Sequence, residues 1–252
     1  MICLDGRKAL VTGGSRGIGK AAAILFAKAG ADVAINFQHR EQAAEEVKGV
    51  VSGLGKECLT LRADISQKDQ AQGLVRDILS VWGRIDILVN NAGIWTYGEM
   101  GKMDVSVWEE TMRLNCDAVF FLCNAVVPVM KVQKEGWIIN VSSTAGVRGE
   151  AFHSHYAASK GAIISFTKSL ASELAPEGVR VNCVAPGWVD TEMCEEVFRI
   201  PGYRKKVEET IPLRRIPPPE DVAGPILFLA SDLARHITGE VINVNGGSVL
   251  CA

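Results

Sequence analysis

Short runs of Val, Ile, Leu and Ala alternate along this chain with longer stretches whose apolar residues recur every three to four positions. The short runs fall at 8–12, 32–36, 57–62, 85–90, 137–142, 180–184 and 241–244. They are apolar throughout, as strands covered on both faces are, and not alternately polar. Between them the spacing predicts helices over 17–29, 40–54, 67–81, 106–131, 154–174 and 219–231. Regular alternation of strand and helix makes βαβ units. The expected fold class is therefore α/β, a doubly wound parallel sheet of seven strands with helices on both faces.

Proline and glycine punctuate this parse. Pro176-Glu177-Gly178 ends one helix and Pro217-Pro218-Pro219-Glu220 opens another. Pro128 is expected to kink or shorten the fourth helix. Residues 187–213 fit neither period and exceed an ordinary connection, so they are expected to form a mobile substrate loop with short helices, or else a surface insertion. No linker, repeat or low-complexity tract divides the chain, and residues 1–252 are expected to form a single domain.

Composition narrows the function classes. A net charge of −2 with scattered Lys and Arg leaves no basic patch for nucleic acid. The seven cysteines (Cys3, Cys58, Cys116, Cys123, Cys183, Cys194 and Cys251) include no CxxC pair and are expected to be buried thiols in a reducing cytosol. His39, His153, His155 and His236 form no metal-ligand spacing, so no metal is expected. The N-terminus lacks the order of a signal peptide, and the apolar stretch 118–130 is short and interrupted by Asn124 and Pro128. No membrane association and a cytoplasmic location are expected.

Thr12-Gly13-Gly14-Ser15-Arg16-Gly17-Ile18-Gly19 follows the first strand and opens the first helix. Glycines there let the backbone turn tightly and approach a pyrophosphate at a helix N-terminus, which makes the domain a Rossmann-type dinucleotide binder. Tyr156 and Lys160 stand four residues apart on one predicted helix face, where a cation can act on a phenol and lower its pKa. A phenol so tuned can serve as acid and base.

These motifs, with Asn90-Asn91-Ala92-Gly93, Asn115, Ser143 and Pro186-Gly187, resemble the short-chain dehydrogenase/reductase family in order and over nearly the whole chain. Ile211-Pro212-Leu213-Arg214 and Phe228-Leu229-Ala230-Ser231-Asp232 resemble its 3-oxoacyl-acyl-carrier-protein reductases and related carbonyl reductases. The resemblance implies a catalytic tetrad of Asn115, Ser143, Tyr156 and Lys160. Tyr156 would exchange a proton with the substrate oxygen, and Ser143 would hydrogen-bond that oxygen. Lys160 would bind the nicotinamide ribose and lower the phenol's pKa, and Asn115 would support a water relaying protons to Lys160.

The same resemblance implies a cofactor site at Gly13, Ser15, Arg16, Gly17, Ile18, Gly19, Asn36, Arg40, Asp64, Ile65, Asn91, Ala92, Gly93, Pro186, Gly187, Val189 and Thr191, beside Tyr156 and Lys160. Asp64 is alternatively a helix cap, and Val189 alternatively a core residue. No acid follows the second strand before Glu41, and Arg16 and Arg40 or His39 add cations, which favours NADP(H) over NAD(H), although Arg16 is alternatively just solvated. Ser142 should point away from the cleft that Ser143 enters. Trp95, Thr144, Phe152 and Trp188 are expected to wall the substrate pocket, favouring an apolar or ring-bearing ketone or alcohol. His153 and His155 are expected at solvent-facing loop positions, or else against substrate.

Basic residues near the cleft mouth are expected where an acyl carrier docks. Lys134 keeps that charge, whereas Glu177 is acidic where an Arg would stand. A carbonyl reductase or secondary alcohol dehydrogenase is therefore placed ahead of a 3-oxoacyl-acyl-carrier-protein reductase, with a non-catalytic NADP-binding protein third. The resemblance further implies a homotetramer built on the fourth and fifth helices, with 242–252 near another interface.

Overall fold

Seven short apolar runs become seven parallel strands: β1 (Lys8–Thr12), β2 (Asp32–Phe37), β3 (Cys58–Arg62), β4 (Ile87–Asn90), β5 (Gly136–Val141), β6 (Val179–Pro186) and β7 (Val241–Val244). The structure is a computed structural model and describes residues 2–250. Cys251 and the end of the interface expected at 242–252 lie outside the described residues. The strand order is β3-β2-β1-β4-β5-β6-β7, so the chain reverses its direction of travel between β1 and β4. Such a switch point opens a crevice at the carboxyl ends of the two strands.

The strands are covered by α1 (Gly17–Lys28), α2 (Glu41–Gly53), α3 (Lys68–Trp82), α4 (Val105–Met112), α5 (Ala118–Gln133), α6 (Thr144–Arg148), α7 (Ser154–Leu174), α8 (Glu195–Phe198), α9 (Tyr203–Thr210) and α10 (Glu220–Leu229). Successive strand side chains point to opposite faces, and here both faces are dry. Ala9, Val11, Val33, Ile35 and Val89 join one core with Phe26 of α1 and Ile226 of α10. Leu10, Ala34, Leu88 and Ile138 join the other, with Leu74 of α3, Leu122 of α5 and Ile163 of α7.

The fourth predicted helix differs from expectation. α4, a π-helical turn at Arg113–Asp117 and α5 run on as one 29-residue rod, Val105–Gln133. Pro128 neither ends nor shortens it; the rod stops at Lys134, whose φ is 57°. Burial of Val126 and Met130 on either side of Pro128 outweighs the local penalty of the missing N–H. The rod is long and apolar enough to cross a bilayer by length and composition, contrary to the reading of 118–130. Its inner residues Ala118, Val119, Leu122 and Val126 pack in the second core.

Residues 187–213 contain α8 and α9, as expected, yet they are more than a loop. Val207, Ile211 and Ile216 form a small core of their own, against which Trp188, Phe198 and Tyr203 pack. The thiols depart from expectation at Cys3, which is exposed.

The amino ends of the strands are joined by charge. Lys8 Nζ lies 2.7 Å from Asp32, and the fully buried Asp86 accepts from the Lys8 backbone N–H at 2.8 Å and from Arg84 at 2.5 Å. Arg7 pairs with Glu135, and its guanidinium and that of Arg180 stand 4.6 and 5.7 Å from the Trp137 ring centre.

Candidate active site

The glycine loop is shaped by what its glycines touch. A Cβ on Gly14 would stand 2.6 Å from Ile35, and one on Gly19 would stand 2.3 Å from the Gly13 carbonyl oxygen. Gly13 itself has φ +61°, in the left-handed region. Thr12 Oγ1 accepts from the backbone N–H of Asn91 and Ala92, and Asn91 Nδ2 donates to Thr12 O at 2.9 Å. The loop is thus pinned to the end of β4. Asn91, predicted to bind cofactor, has its carboxamide occupied by this brace.

α1 begins without a side-chain cap, since Arg16 at the cap position makes none, and its first turn holds no acid. Its free amide groups suit an anion. The cavity in front is about 610 Å³ and runs without interruption from Gly13, Ser15 and Gly17 to Ser143, Tyr156 and Lys160. Asn36, Arg40, Asp64, Ile65, Asn91, Ala92, Gly93, Pro186, Gly187, Val189 and Thr191 line it with Arg16 and Ile18, so the predicted cofactor residues share one space except Gly19, which packs against Gly13 instead. An elongated dinucleotide fits this cradle. Arg16 and Arg40 are exposed and make no ion pair among the described residues, which leaves both free for a phosphate.

Several of these residues act indirectly. Asn36 is buried, and its Nδ2 donates to the Ala63 carbonyl at 3.0 Å, supporting the segment that carries Asp64. Asp64 is not a helix cap, because Gln67 holds that position; its Oδ1 accepts from Ser66 instead. Val189 has its side chain in the first core, so only its backbone remains to face a ligand. Thr191 lies over the loop, with Cγ2 at 3.4 Å from where a Gly17 Cβ would be. Leu114 and Glu110 also line the cavity and were not foreseen; only their spacing from Asn115 on the helix hinted at them.

The predicted tetrad comes together. Ser143 caps α6, its Oγ accepting from the Ala145 N–H at 3.1 Å. Ser142, expected to point away from the cleft, is also among the cavity-lining residues, and its hydroxyl donates to the Lys160 carbonyl at 2.8 Å. Asn115 sits in the π turn, accepting from the Ile94 N–H at 2.8 Å and donating to Ser159 Oγ at 3.1 Å. A Cβ on Gly93 would lie 3.0 Å from Asn115 Oδ1 and 3.4 Å from Lys160 Nζ, so only glycine leaves these groups their room.

Electrostatics correct one expectation. Burial pushes the Tyr156 phenol well above its ordinary range, and a hydrogen bond with Ser143 only partly offsets this. Lys160 is turned toward the Val141 carbonyl, 2.9 Å from its Nζ, which is 5.9 Å from the Tyr156 ring centre. Burial lowers this ammonium to about 8. The net shift of the phenol is therefore upward, against the lowering expected from Lys160, because desolvation of a fully enclosed phenol outweighs a cation turned toward the Val141 carbonyl.

None of the predicted pocket walls, Trp95, Thr144, Phe152 and Trp188, is among the residues lining this cavity; their neighbours Ile94, Ser143, Gly187 and Val189 are. Trp95 and Trp188 meet edge to face at 5.7 Å between ring centres. Trp188 also contacts Phe198 at 5.6 Å, tying the 187–213 lobe to the loop after β4. Phe152 is exposed at φ 62° and stacks on Tyr97, and Thr144 is buried at the start of α6. From the 187–213 lobe, Met193 and Cys194 line the cavity that Tyr156 also lines. His153 stacks on Trp95 at 4.5 Å. His155 is not solvent-facing as expected: it is fully buried, its Nε2 3.0 Å from Thr96 Oγ1. Lys134 is likewise not near the cleft. It precedes the amino end of β5, while Ser143 follows the carboxyl end, and six strand residues separate them by ~20 Å. Its ammonium is held by Glu177 at 2.5 Å.

Comparison with known proteins agrees with this geometry. Residues 13–248 match the family described as Enoyl-(Acyl carrier protein) reductase. The chain is 41% identical over 251 residues to a 3-oxoacyl-[acyl-carrier-protein] reductase of Synechocystis, covering 99% of this chain and 100% of that one. A reductase of the same name from Thermotoga maritima is 39% identical, covering 98% and 99%. A short-chain type dehydrogenase/reductase from Mycobacterium marinum superposes with a TM-score of 0.93 at 36% identity, over 99% and 98% of the two chains. A chain from Beutenbergia cavernae, described as an NAD(P)-dependent gluconate 5-dehydrogenase with bound NADP, gives 0.93 at 34%, over 98% of each. With the tetrad gathered beside a dinucleotide cradle at the switch point, the chain belongs to the short-chain dehydrogenase/reductase family of oxidoreductases, which act on CH–OH and C=O groups.

Proposed function

We propose that this enzyme reduces the keto group of a 3-oxoacyl thioester with NADPH. The observation that carries the reading is full-length identity of 41% to a reductase of that name, in a chain that keeps all four tetrad residues. This reverses the order of the sequence-based expectation, in which a general carbonyl reductase came first. That second reading is favoured by one feature, the Trp95–Trp188 ring pair next to the cavity-lining Ile94 and Gly187, which suits apolar or ring-bearing ketones.

The unpaired Arg16 and Arg40 would hold the 2′-phosphate of NADP(H), and the uncapped start of α1 its pyrophosphate. The bound nicotinamide supplies the hydride. Ser143 holds the substrate oxygen, and Tyr156 gives that oxygen its proton as the carbonyl carbon is reduced, leaving a secondary alcohol. Lys160 returns the proton to the phenolate, its ammonium made a readier acid by burial, and Asn115 fixes the Ile94 segment against which Lys160 works.

The Lys134–Glu177 pair leaves no free cation at either position, so the acyl thioester is the recognised part of the substrate and the carrier contributes little there. A homotetramer joined through α4, α5 and α7 and a cytoplasmic location complete the proposal. Phe120, Trp108 and Val105 lie exposed on that rod and would be covered in such an assembly. The test is a rate comparison with NADPH and NADH on 3-oxoacyl thioesters, carrier-linked and free, and on simple aryl and alkyl ketones. Highest kcat/KM with NADPH and a 3-oxoacyl thioester is expected. Preference for ketones returns the carbonyl reductase reading, and no turnover of any compound overturns both.

A further inference from the structure

Two buried polar atoms on facing helices stand outside everything the tetrad uses. His155 and Thr111 are each 0% exposed. His155 Nε2 lies 3.0 Å from Thr96 Oγ1, but neither His155 Nδ1 nor Thr111 Oγ1 has a hydrogen-bond partner among the described residues. Buried polar groups are almost always satisfied, by protein or by ordered water, and each exception needs an explanation.

The register of the helices brings the two atoms to one level. α4 and α7 pack on each other, and each belongs to a segment leading into a strand of the same parallel sheet, so they run in the same direction. The Asn115–Ser159 bond of 3.1 Å sets their alignment. One turn back from Ser159 is His155. One turn back from Asn115, across the π turn, are Glu110 and Thr111, of which Glu110 is exposed and Thr111 buried. The seam between the helices therefore holds a second polar rung, one turn before the first, whose two members each lack a partner.

We propose that one water molecule bridges His155 Nδ1 and Thr111 Oγ1, and that through it His155 is a positioning residue for the loop Trp95–Tyr97, which follows the cavity-lining Ile94. The water donates to Nδ1 and leaves the ring proton on Nε2, which then donates to Thr96 Oγ1. Thr96 lies between Trp95 and Tyr97, so the bridge fixes the direction of the bond that holds this loop against α7. His155 also precedes Tyr156, and the same ring ties the loop to the turn carrying the phenol. Gly98 belongs to this contact, since a Cβ there would meet His155 Cε1 at 2.9 Å.

The test combines density, spectra and rates. A crystal structure should show a water within hydrogen-bonding distance of both atoms, and ¹⁵N spectra should show His155 as the neutral Nε2–H tautomer. Thr111→Val keeps the shape and removes the hydroxyl. It should lose the water, mix the tautomers and raise the substrate KM by about 3- to 10-fold, with NADPH affinity unchanged and Thr111→Ser close to wild type. A dry seam, an Nδ1–H tautomer in the wild type, or a Thr111→Val enzyme with unaltered spectrum and KM would overturn the proposal. Should Thr111→Val fail to fold, the wild-type density and spectrum decide alone. Those two readouts need no substrate, so they stand or fall apart from the 3-oxoacyl assignment.

Discussion

Tyr156 carries its proton in an enclosure that resists making it an anion, and Ser143 is the group that eases this. Removing the hydroxyl leaves the cradle intact. Tyr156→Phe should therefore lower kcat by ~10²–10⁴-fold, the usual worth of a positioned acid, while the NADPH dissociation constant measured by fluorescence stays within about twofold. Substantial retained turnover would sink the assignment. Lys160 gives a prediction of opposite character. Its folded pKa of about 8 lies below the 10.5 of a free lysine, so between these values the unfolded chain holds more protons than the folded one. Stability from this site must rise with pH across that window, by at most ~1.4 kcal/mol per pH unit. Urea unfolding of wild type and Lys160→Met at the two ends of the window should show the difference moving toward the wild type as pH rises. A difference that stays flat or falls contradicts the burial of a charged lysine. The four tetrad residues were legible in the sequence through a family resemblance in the order of the motifs, and the fold brings them together. The direction of the Tyr156 shift was not, because it depends on how completely the folded chain encloses the phenol and where Lys160 turns.

At the scale of elements, the loop and α1 form a tight-fitting unit. Gly19→Ala would set a methyl against the Gly13 carbonyl, and α1 must move away from the loop to admit it. Calorimetry and NADPH titration should find a loss of ~1–3 kcal/mol in stability and a cofactor affinity weakened about 100-fold or more. An alanine tolerated with full affinity would show that the loop is slack. The strands and helices were foreseen to within a few residues, since both sheet faces are apolar and the periods do not overlap. The short α6 was not, and two residues were misread. Pro128 reads locally as a breaker, yet the packing of its neighbours keeps α5 continuous. His155 reads as a polar residue beside a loop, yet the Thr96–Gly98 segment folds over it and decides its burial, and no local pattern encodes that contact.

Over the whole molecule, distances between ends matter more than motifs. Lys134 and Ser143 are nine residues apart in sequence and at opposite ends of β5 in space, so a docking role inferred from position alone misplaced the charge. The rod Val105–Gln133 shows Trp108 and Phe120 to solvent in one chain. If four copies bury them, Phe120→Asp should reduce the mass measured by light scattering from tetramer to a smaller species while each chain stays folded by circular dichroism. An unchanged mass would remove that rod from the interface.

The ion pairs at the amino ends of the strands have a consequence for how the protein comes apart. Lys8, Asp32, Arg84, Asp86, Arg7 and Glu135 join β1, β2, β4 and β5 at one end, while the other end is left to loops that must admit ligands. Opening should therefore travel like a zip from the cleft toward the charged seam. Amides of the glycine loop and of residues 187–213 should exchange hydrogen earliest, and those beside Asp86 last. Cofactor binding would slow the first group strongly and the last hardly at all, so the same sheet can be tightened for durability at one end without stiffening the end that turns over substrate.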